Sequence, residues 1–338
     1  LPDWASWTSG LFLGISAGLL TVGFISTISG LVGLIDSTSH TPKLLVSGTC
    51  LGIFGGYLFS IIRPPQKHRA ADIFAGFFSF ATSVGLSAAT IFFITGVTNQ
   101  FDTAFYEATV AITTTALSTL DIAQLTPEIE FFRGFLQWVG GLTVLILGAA
   151  IIPVIGNRSD PSSQIERNDA LSLGATRRTA IYNILSIYVP LSFSLWVAYS
   201  LTGIGIFDGL LLAISTVSTG GFVPQGSPLE NAAVQWIAIV GMCMSGTSFV
   251  VLWRLATKKI GDLRNSLELR LYFSTLISLG LVLFIFSGES SFTNLRSSFV
   301  VVSSAVSTTG FPGMIQGEWL PAFTVLVLLV TAIGGMAG

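Results

Sequence analysis

The sequence predicts an all-α integral membrane protein in which a unit of span, short pore helix, filter loop and second span recurs three times. Three observations predict it. Of 338 residues, 51% are hydrophobic and 9% charged, against about 25% charged in a soluble domain; mean hydropathy is +0.78. Apolar runs of the roughly 20 residues needed to cross a bilayer lie near 10–35, 43–62, 70–97, 131–156, 179–203, 232–256, 268–287 and 319–338. They lack the alternating polarity of a membrane barrel, so eight helical spans are expected. Finally, three polar strings interrupt this apolar background: Thr113-Thr114-Thr115-Ala116-Leu117, Ser218-Thr219-Gly220-Gly221-Phe222 and Ser307-Thr308-Thr309-Gly310-Phe311. Each is a hydroxyl run, then a small residue, then a bulky apolar one.

Residues 1–66 read as an accessory transmembrane hairpin, closed by Arg63-Pro64-Pro65. The first pore-loop unit, 67–157, contains the short apolar segment 102–112, the first loop, and an outgoing span entered through Arg133 and Gln137-Trp138. The second, 170–258, repeats this with segment 207–216 and Gln235-Trp236, and the third, 262–338, has segment 294–306 and an incomplete end. The short segments cannot cross a bilayer and are too apolar for surface loops, so re-entrant helices are expected. Such a helix, entering from outside, brings the negative end of its macrodipole to the membrane interior, where a cation is favoured. Carbonyls and hydroxyls in the following loop can replace an ion's hydration shell. The expected ion-binding residues are Thr114, Thr115, Ala116, Thr219, Gly220, Gly221, Thr308, Thr309 and Gly310.

Charge placement sets the expected orientation. Of 15 Lys and Arg, 12 lie in three connections: Arg63, Lys67 and Arg69; Arg158, Arg167, Arg177 and Arg178; Arg254, Lys258, Lys259, Arg264 and Arg270. By the positive-inside rule these are cytoplasmic, which places the N-terminus inside a cell membrane and the filter loops outside. Asp102, Glu107, Asp121, Glu128, Glu130, Asp208, Glu230, Glu289 and Glu318 then fall on the outer side, an acidic mouth expected to concentrate cations. Cys50 and Cys243 lie within spans and are expected as buried, inert thiols. His40 and His68 lie in connections without partners at metal-binding spacing and are expected to be solvated.

Several function classes are disfavoured. A proton-relay transporter should carry Asp, Glu or His inside its spans, and the deep segments carry almost none. No His-Glu-x-x-His string or paired intramembrane carboxylate points to an enzyme. A scaffold has no use for repeated hydroxyl and glycine loops. Monovalent-cation permeation remains.

The stretches FDTAFYEATVAITTTALSTLD, FFRGFLQWVGGLTVLILGAAIIP, STVSTGGFVPQGS, SAVSTTGFPGM and IGGMAG resemble the Trk/Ktr/HKT superfamily of potassium and sodium transporters, most closely its Trk-type pore subunit, over about 70–338. The resemblance implies four pore-loop units around a pseudo-fourfold pore, of which this chain holds three, so the natural polypeptide is expected to continue into a fourth. It also implies a homodimer in the lipid bilayer, a cytosolic nucleotide-binding regulatory subunit of the TrkA/KtrA kind, no nucleic-acid partner, and bound potassium or sodium with no other cofactor. The glycine-rich end, Gly334, Gly335, Ala337 and Gly338, corresponds to an intramembrane gate. Where the family carries Gly in the first filter this chain has Ala116, and in the superfamily's plant branch a Ser there goes with sodium transport. Potassium uptake is therefore the expected activity, with a sodium-permeable or sodium-selective pore and a proton-coupled secondary transporter as alternatives.

Overall fold

The computed structural model describes residues 4–35, 38–62, 70–155, 177–226, 228–257, 266–286, 291–311, 325 and 328–331. Among the described residues the regular structure is helical, without strands. Eleven helices of eight residues or more occur among them: α1 Trp4–Gly33, α2 Thr41–Ile61, α3 Ala70–Thr95, α4 Phe101–Ile112, α5 Pro127–Ile155, α6 Arg177–Tyr199, α7 Ile206–Val217, α8 Ala232–Ser245, α9 Phe249–Ala256, α10 Leu267–Phe286 and α11 Phe292–Val306. In an apolar solvent each backbone group must be satisfied within its own segment, which is why such runs are helices. Six are long and apolar enough to cross a membrane: Ser9–Gly33, Thr41–Ile61, Asp72–Thr95, Pro127–Gly148, Thr179–Ile204 and Leu269–Phe286. The chain is a multi-pass membrane protein.

Two expected spans differ. The run expected as one helix over 232–256 is broken between α8 and α9 at Gly246-Thr247-Ser248. Hydropathy reads only composition and passes over the breaker string Ser245-Gly246-Thr247-Ser248. Glycine is needed at the helix end because a Cβ on Gly246 would lie 2.6 Å from the Tyr272 hydroxyl and 2.7 Å from Ser307 Cβ. The span expected at 319–338 falls outside the described residues apart from 325 and 328–331, as do His68 and the glycine-rich Gly334, Gly335, Ala337 and Gly338.

The chain forms two compact bodies, one of Leu1–Gly140 with Ala150–Asp160, the other of Gly141–Ala149 with Pro161–Gly338. In the first, α1 packs along both α2 and α3. Small residues permit the close approach that replaces the hydrophobic drive in lipid. Gly10, Gly14 and Gly18, one turn apart, face α3, and a Cβ on Gly14 would sit 2.1 Å from the Gly76 carbonyl. Hydroxyls stitch the same faces, Ser83 donating to the Ile15 carbonyl at 3.1 Å and Ser26 to the Leu44 carbonyl at 2.8 Å. Cys50, expected to be buried, is exposed, because α2 is packed mainly on α1 and leaves its other face bare.

In the second body α6 packs on α7, and α10 and α8 both pack on α11. The end of α6 widens into a π-helical turn at Ser200–Ile204, and Gly203 (φ 89°) and Gly205 (φ 97°) turn the chain back into α7. Tyr199, fully buried, meets Thr216 of α7 hydroxyl to hydroxyl at 3.0 Å.

Candidate functional site

Three short helices, α4, α7 and α11, precede the three polar strings, and all three end in the same way. Thr113, Ser218 and Ser307 are the last half-helical residues. Beyond them Thr114, Thr219 and Thr308 adopt left-handed backbone, with φ of 54°, 50° and 58°. Their amides bond to the carbonyls of Ala111, Thr216 and Ala305, and the next amides, of Thr115, Gly220 and Thr309, reach back to Val110, Ser215 and Ser304 at 3.0, 2.9 and 2.9 Å. This is a Schellman closure, with threonine where glycine is usual. A β-branched residue is a genuine outlier in that region, at a cost of roughly 1–2 kcal/mol each. Two residues on, Ala116, Gly221 and Gly310 are left-handed as well, with φ of 66°, 75° and 80°.

Strain repeated at matched positions marks a constraint stronger than local preference. Left-handed backbone at every second residue takes the chain off the path of a strand, in which successive carbonyls alternate sides. The hydroxyls are tied to the loops themselves: Thr113 to Thr115 and Ser307 to Thr309, each at 2.7 Å, while Thr219 and Thr308 donate to the carbonyls of Ser218 and Ser307. Thr115 is exposed whereas Gly220 and Thr309 are buried.

The first loop differs from the others in one respect. The Ala116 carbonyl accepts from the Ser118 amide at 3.0 Å, closing a tight turn over Leu117. In the third loop the corresponding residue is Pro312, which has no N–H. Part of the acceptor capacity of the Ala116 carbonyl is thus used by its own chain.

Behind this loop sits an ion pair that the sequence did not disclose. Glu107 of α4 is fully buried and Arg133 of α5 nearly so. One Glu107 oxygen accepts from the Thr119 amide at 2.6 Å and the Thr119 hydroxyl at 2.8 Å, the other from the Ser118 hydroxyl at 2.8 Å. Arg133 donates to the Ser118 hydroxyl at 2.7 Å and stands 3.6 Å from the same carboxylate. Tyr106 holds the Leu117 carbonyl at 2.7 Å. In the second body Gln235 donates to the Leu229 carbonyl at 2.7 Å and accepts from Arg296 of α11 at 2.5 Å. Lys43, with Arg133 and Arg296 one of the three cations outside the basic connections, donates to the Thr95 carbonyl at 3.1 Å.

These contacts correct three expectations. Glu107 and Glu128 are fully buried and so are not part of an acidic, solvated mouth; Glu107 is enclosed by its donors, and Glu128 accepts from Thr38. His40 is not merely solvated: its Nδ1 lies 3.0 Å from the Thr95 carbonyl, beside a polar recess of about 190 Å³. An excess of carboxylates was legible in the sequence, but which of them had hydroxyl and amide donors waiting was not. Among the described residues no group of three or more His, Cys, Asp or Glu could hold a metal ion.

The family profile of TrkH, described as cation transport protein, matches residues 46–293. The chain belongs to that family. It is 28% identical over 244 residues to the Trk system potassium uptake protein TrkI of Halomonas elongata, covering 70% of this chain and 50% of the relative. It is 26% identical over 354 residues to TrkH of the same organism, covering 94% and 72%. The crystal structure of the potassium transporter TrkH from Vibrio parahaemolyticus superposes with a TM-score of 0.80 at 22% identity, over 97% of this chain and 70% of that one, which shows a shared fold. The chain spans about half the length of TrkI and of the Salmonella typhimurium TrkH it also matches.

Proposed function

We propose that this protein carries monovalent cations, potassium foremost, across a cell membrane through a pore lined by 113–117, 218–222 and 307–311, meeting around one axis near its outer side. The observation that carries this reading is the matched backbone of the three loops, left-handed at 114, 219 and 308 and again at 116, 221 and 310. Each follows the C-terminal end of a short apolar helix, whose dipole favours a cation. The relatives' names, potassium uptake proteins of the Trk system, support potassium as the ion. The same proposal includes the division into an accessory hairpin and three pore-loop units, the outward orientation of the loops, a homodimer, and a cytosolic nucleotide-binding subunit as the second component that the word "system" suggests.

Sodium permeation is favoured by one specific feature, the Ala116 carbonyl drawn onto Ser118. A carbonyl shared with an amide is a weaker ligand, so discrimination in that quadrant is reduced. In liposomes containing the full polypeptide, potassium flux should exceed sodium flux by a modest ratio. Ala116→Gly should raise that ratio; an unchanged or lower one would show that the first loop does not set selectivity, and absence of potassium flux would overturn the function. Crystals soaked in thallium should show density within coordinating reach of all three loops. Loop backbones more than about 15 Å from a common axis, beyond carbonyl reach, would contradict the shared pore.

A further inference from the structure

We infer that the buried Glu107–Arg133 pair is a positioning device which holds Ala116 in its left-handed conformation, and so sets the ion preference of the first loop. The inference rests on the filter reading above. Its basis is a contrast among the three loops. The second and third place glycine at the left-handed position and follow it closely with proline, Gly221 with Pro224 and Gly310 with Pro312. Glycine enters that region without a Cβ penalty, and proline fixes its own φ and stiffens the exit. The first loop has neither: Ala116 carries a Cβ, and Ser118-Thr119 stand where the prolines would be.

What it has instead is Glu107, six residues before the end of its helix at Thr113. Six residues before Ser218 and Ser307 are Leu212 and Val301, both buried and apolar. The carboxylate thus occurs behind the one loop that lacks glycine and proline. Its contacts fall on the two residues through which a relaxing Ala116 would have to swing, Ser118 and Thr119. Arg133 locks Ser118 from the other side. Charge-assisted hydrogen bonds of this kind are short and strong, and a buried carboxylate binds its donors firmly because no water competes. In consequence Ala116 keeps the left-handed φ that Gly221 and Gly310 adopt without such a clasp.

The test is the potassium-to-sodium flux ratio of the full polypeptide in liposomes, measured for wild type, Glu107→Gln, Ala116→Gly and the two combined. Glu107→Gln is expected to change the ratio by about fivefold or more, the population shift that matches a released left-handed alanine. In the Ala116→Gly background the same substitution should change it little, since glycine stays left-handed without help. An unchanged ratio in Glu107→Gln, or a change of equal size in both backgrounds, overturns the inference. Should Glu107→Gln fail to fold because Arg133 loses its buried carboxylate, Glu107→Gln/Arg133→Met removes both charges of the pair and carries the test: wild-type thermal stability with an altered ratio is expected, and wild-type stability with the wild-type ratio overturns the inference. A wild type without any potassium-over-sodium discrimination would overturn the filter reading itself, and this inference with it.

Discussion

Gly140→Val should abolish transport and sharply reduce the yield of folded protein. A Cβ at position 140 would lie 2.0 Å from the carbonyl oxygen of Ile112 and 2.8 Å from its carbon. These are backbone atoms of the last residue of α4, directly before Thr113, so no rotamer change relieves the contact. Either α5 moves away or the end of α4 and the loop hung on it are displaced. Overpacking a core ordinarily costs about 1–3 kcal/mol, and a clash with fixed backbone belongs at or beyond the top of that range. Thermal unfolding in detergent and flux in liposomes measure the two consequences. Gly52→Ala is the control: nothing lies within 4 Å of its added Cβ, and alanine gains up to about 1 kcal/mol over glycine within a helix. Wild-type stability and flux in Gly140→Val would refute the view that α5 seats the first loop.

Much of this arrangement was legible in the sequence because the bilayer leaves few choices. The short segments expected at 102–112, 207–216 and 294–306 are helices at Phe101–Ile112, Ile206–Val217 and Phe292–Val306, as length and hydropathy demand. Five of the expected spans, near 10–35, 43–62, 70–97, 179–203 and 268–287, agree with apolar helices to within a few residues, and the 131–156 run begins slightly earlier, at Pro127. What stayed hidden was set by contacts between distant residues. Hydropathy alone passed over the break at Gly246, although Ser245-Gly246-Thr247-Ser248 is a breaker string; what it could not tell is that Tyr272 and Ser307 close on that glycine. Nor does the sequence tell Glu107, fully buried, from Asp102, which is exposed; Ser118, Thr119 and Arg133 make the difference. The left-handed threonines are the clearest case. Propensity assigns those positions to glycine, and only a loop held at both ends can keep Thr114, Thr219 and Thr308 there. That Ala116 stands where the family carries glycine was legible from the resemblance, but the buried carboxylate behind it was not.

That clasp also fixes what should happen when a side chain is added to the other two loops. Gly221 and Gly310 sit at φ of 75° and 80°, where Ala116 is tolerated in the first loop. Behind them stand Leu212 and Val301, which can offer a loop no hydrogen bond. Valine at either position would face a left-handed penalty of roughly 1–2 kcal/mol, larger for a β-branched residue, and although Ser304 holds the Phe311 carbonyl at 3.2 Å in the third loop, Leu212 and Val301 supply no charged clasp against relaxation. The peptide should then rotate and carry its carbonyl out of line. Gly221→Val and Gly310→Val are therefore expected to lower potassium flux by about tenfold or more, the rate equivalent of a loss near 1.4 kcal/mol at the ion. Because the loop can relax without disturbing the helix before it, thermal stability should stay close to wild type. The decisive comparison is with alanine: Gly310→Ala should cost flux even though Ala116 is native one loop away. If Gly310→Ala conducts and selects as wild type does, the left-handed positions are not equivalent, and glycine at 310 serves some need other than the geometry of its carbonyl.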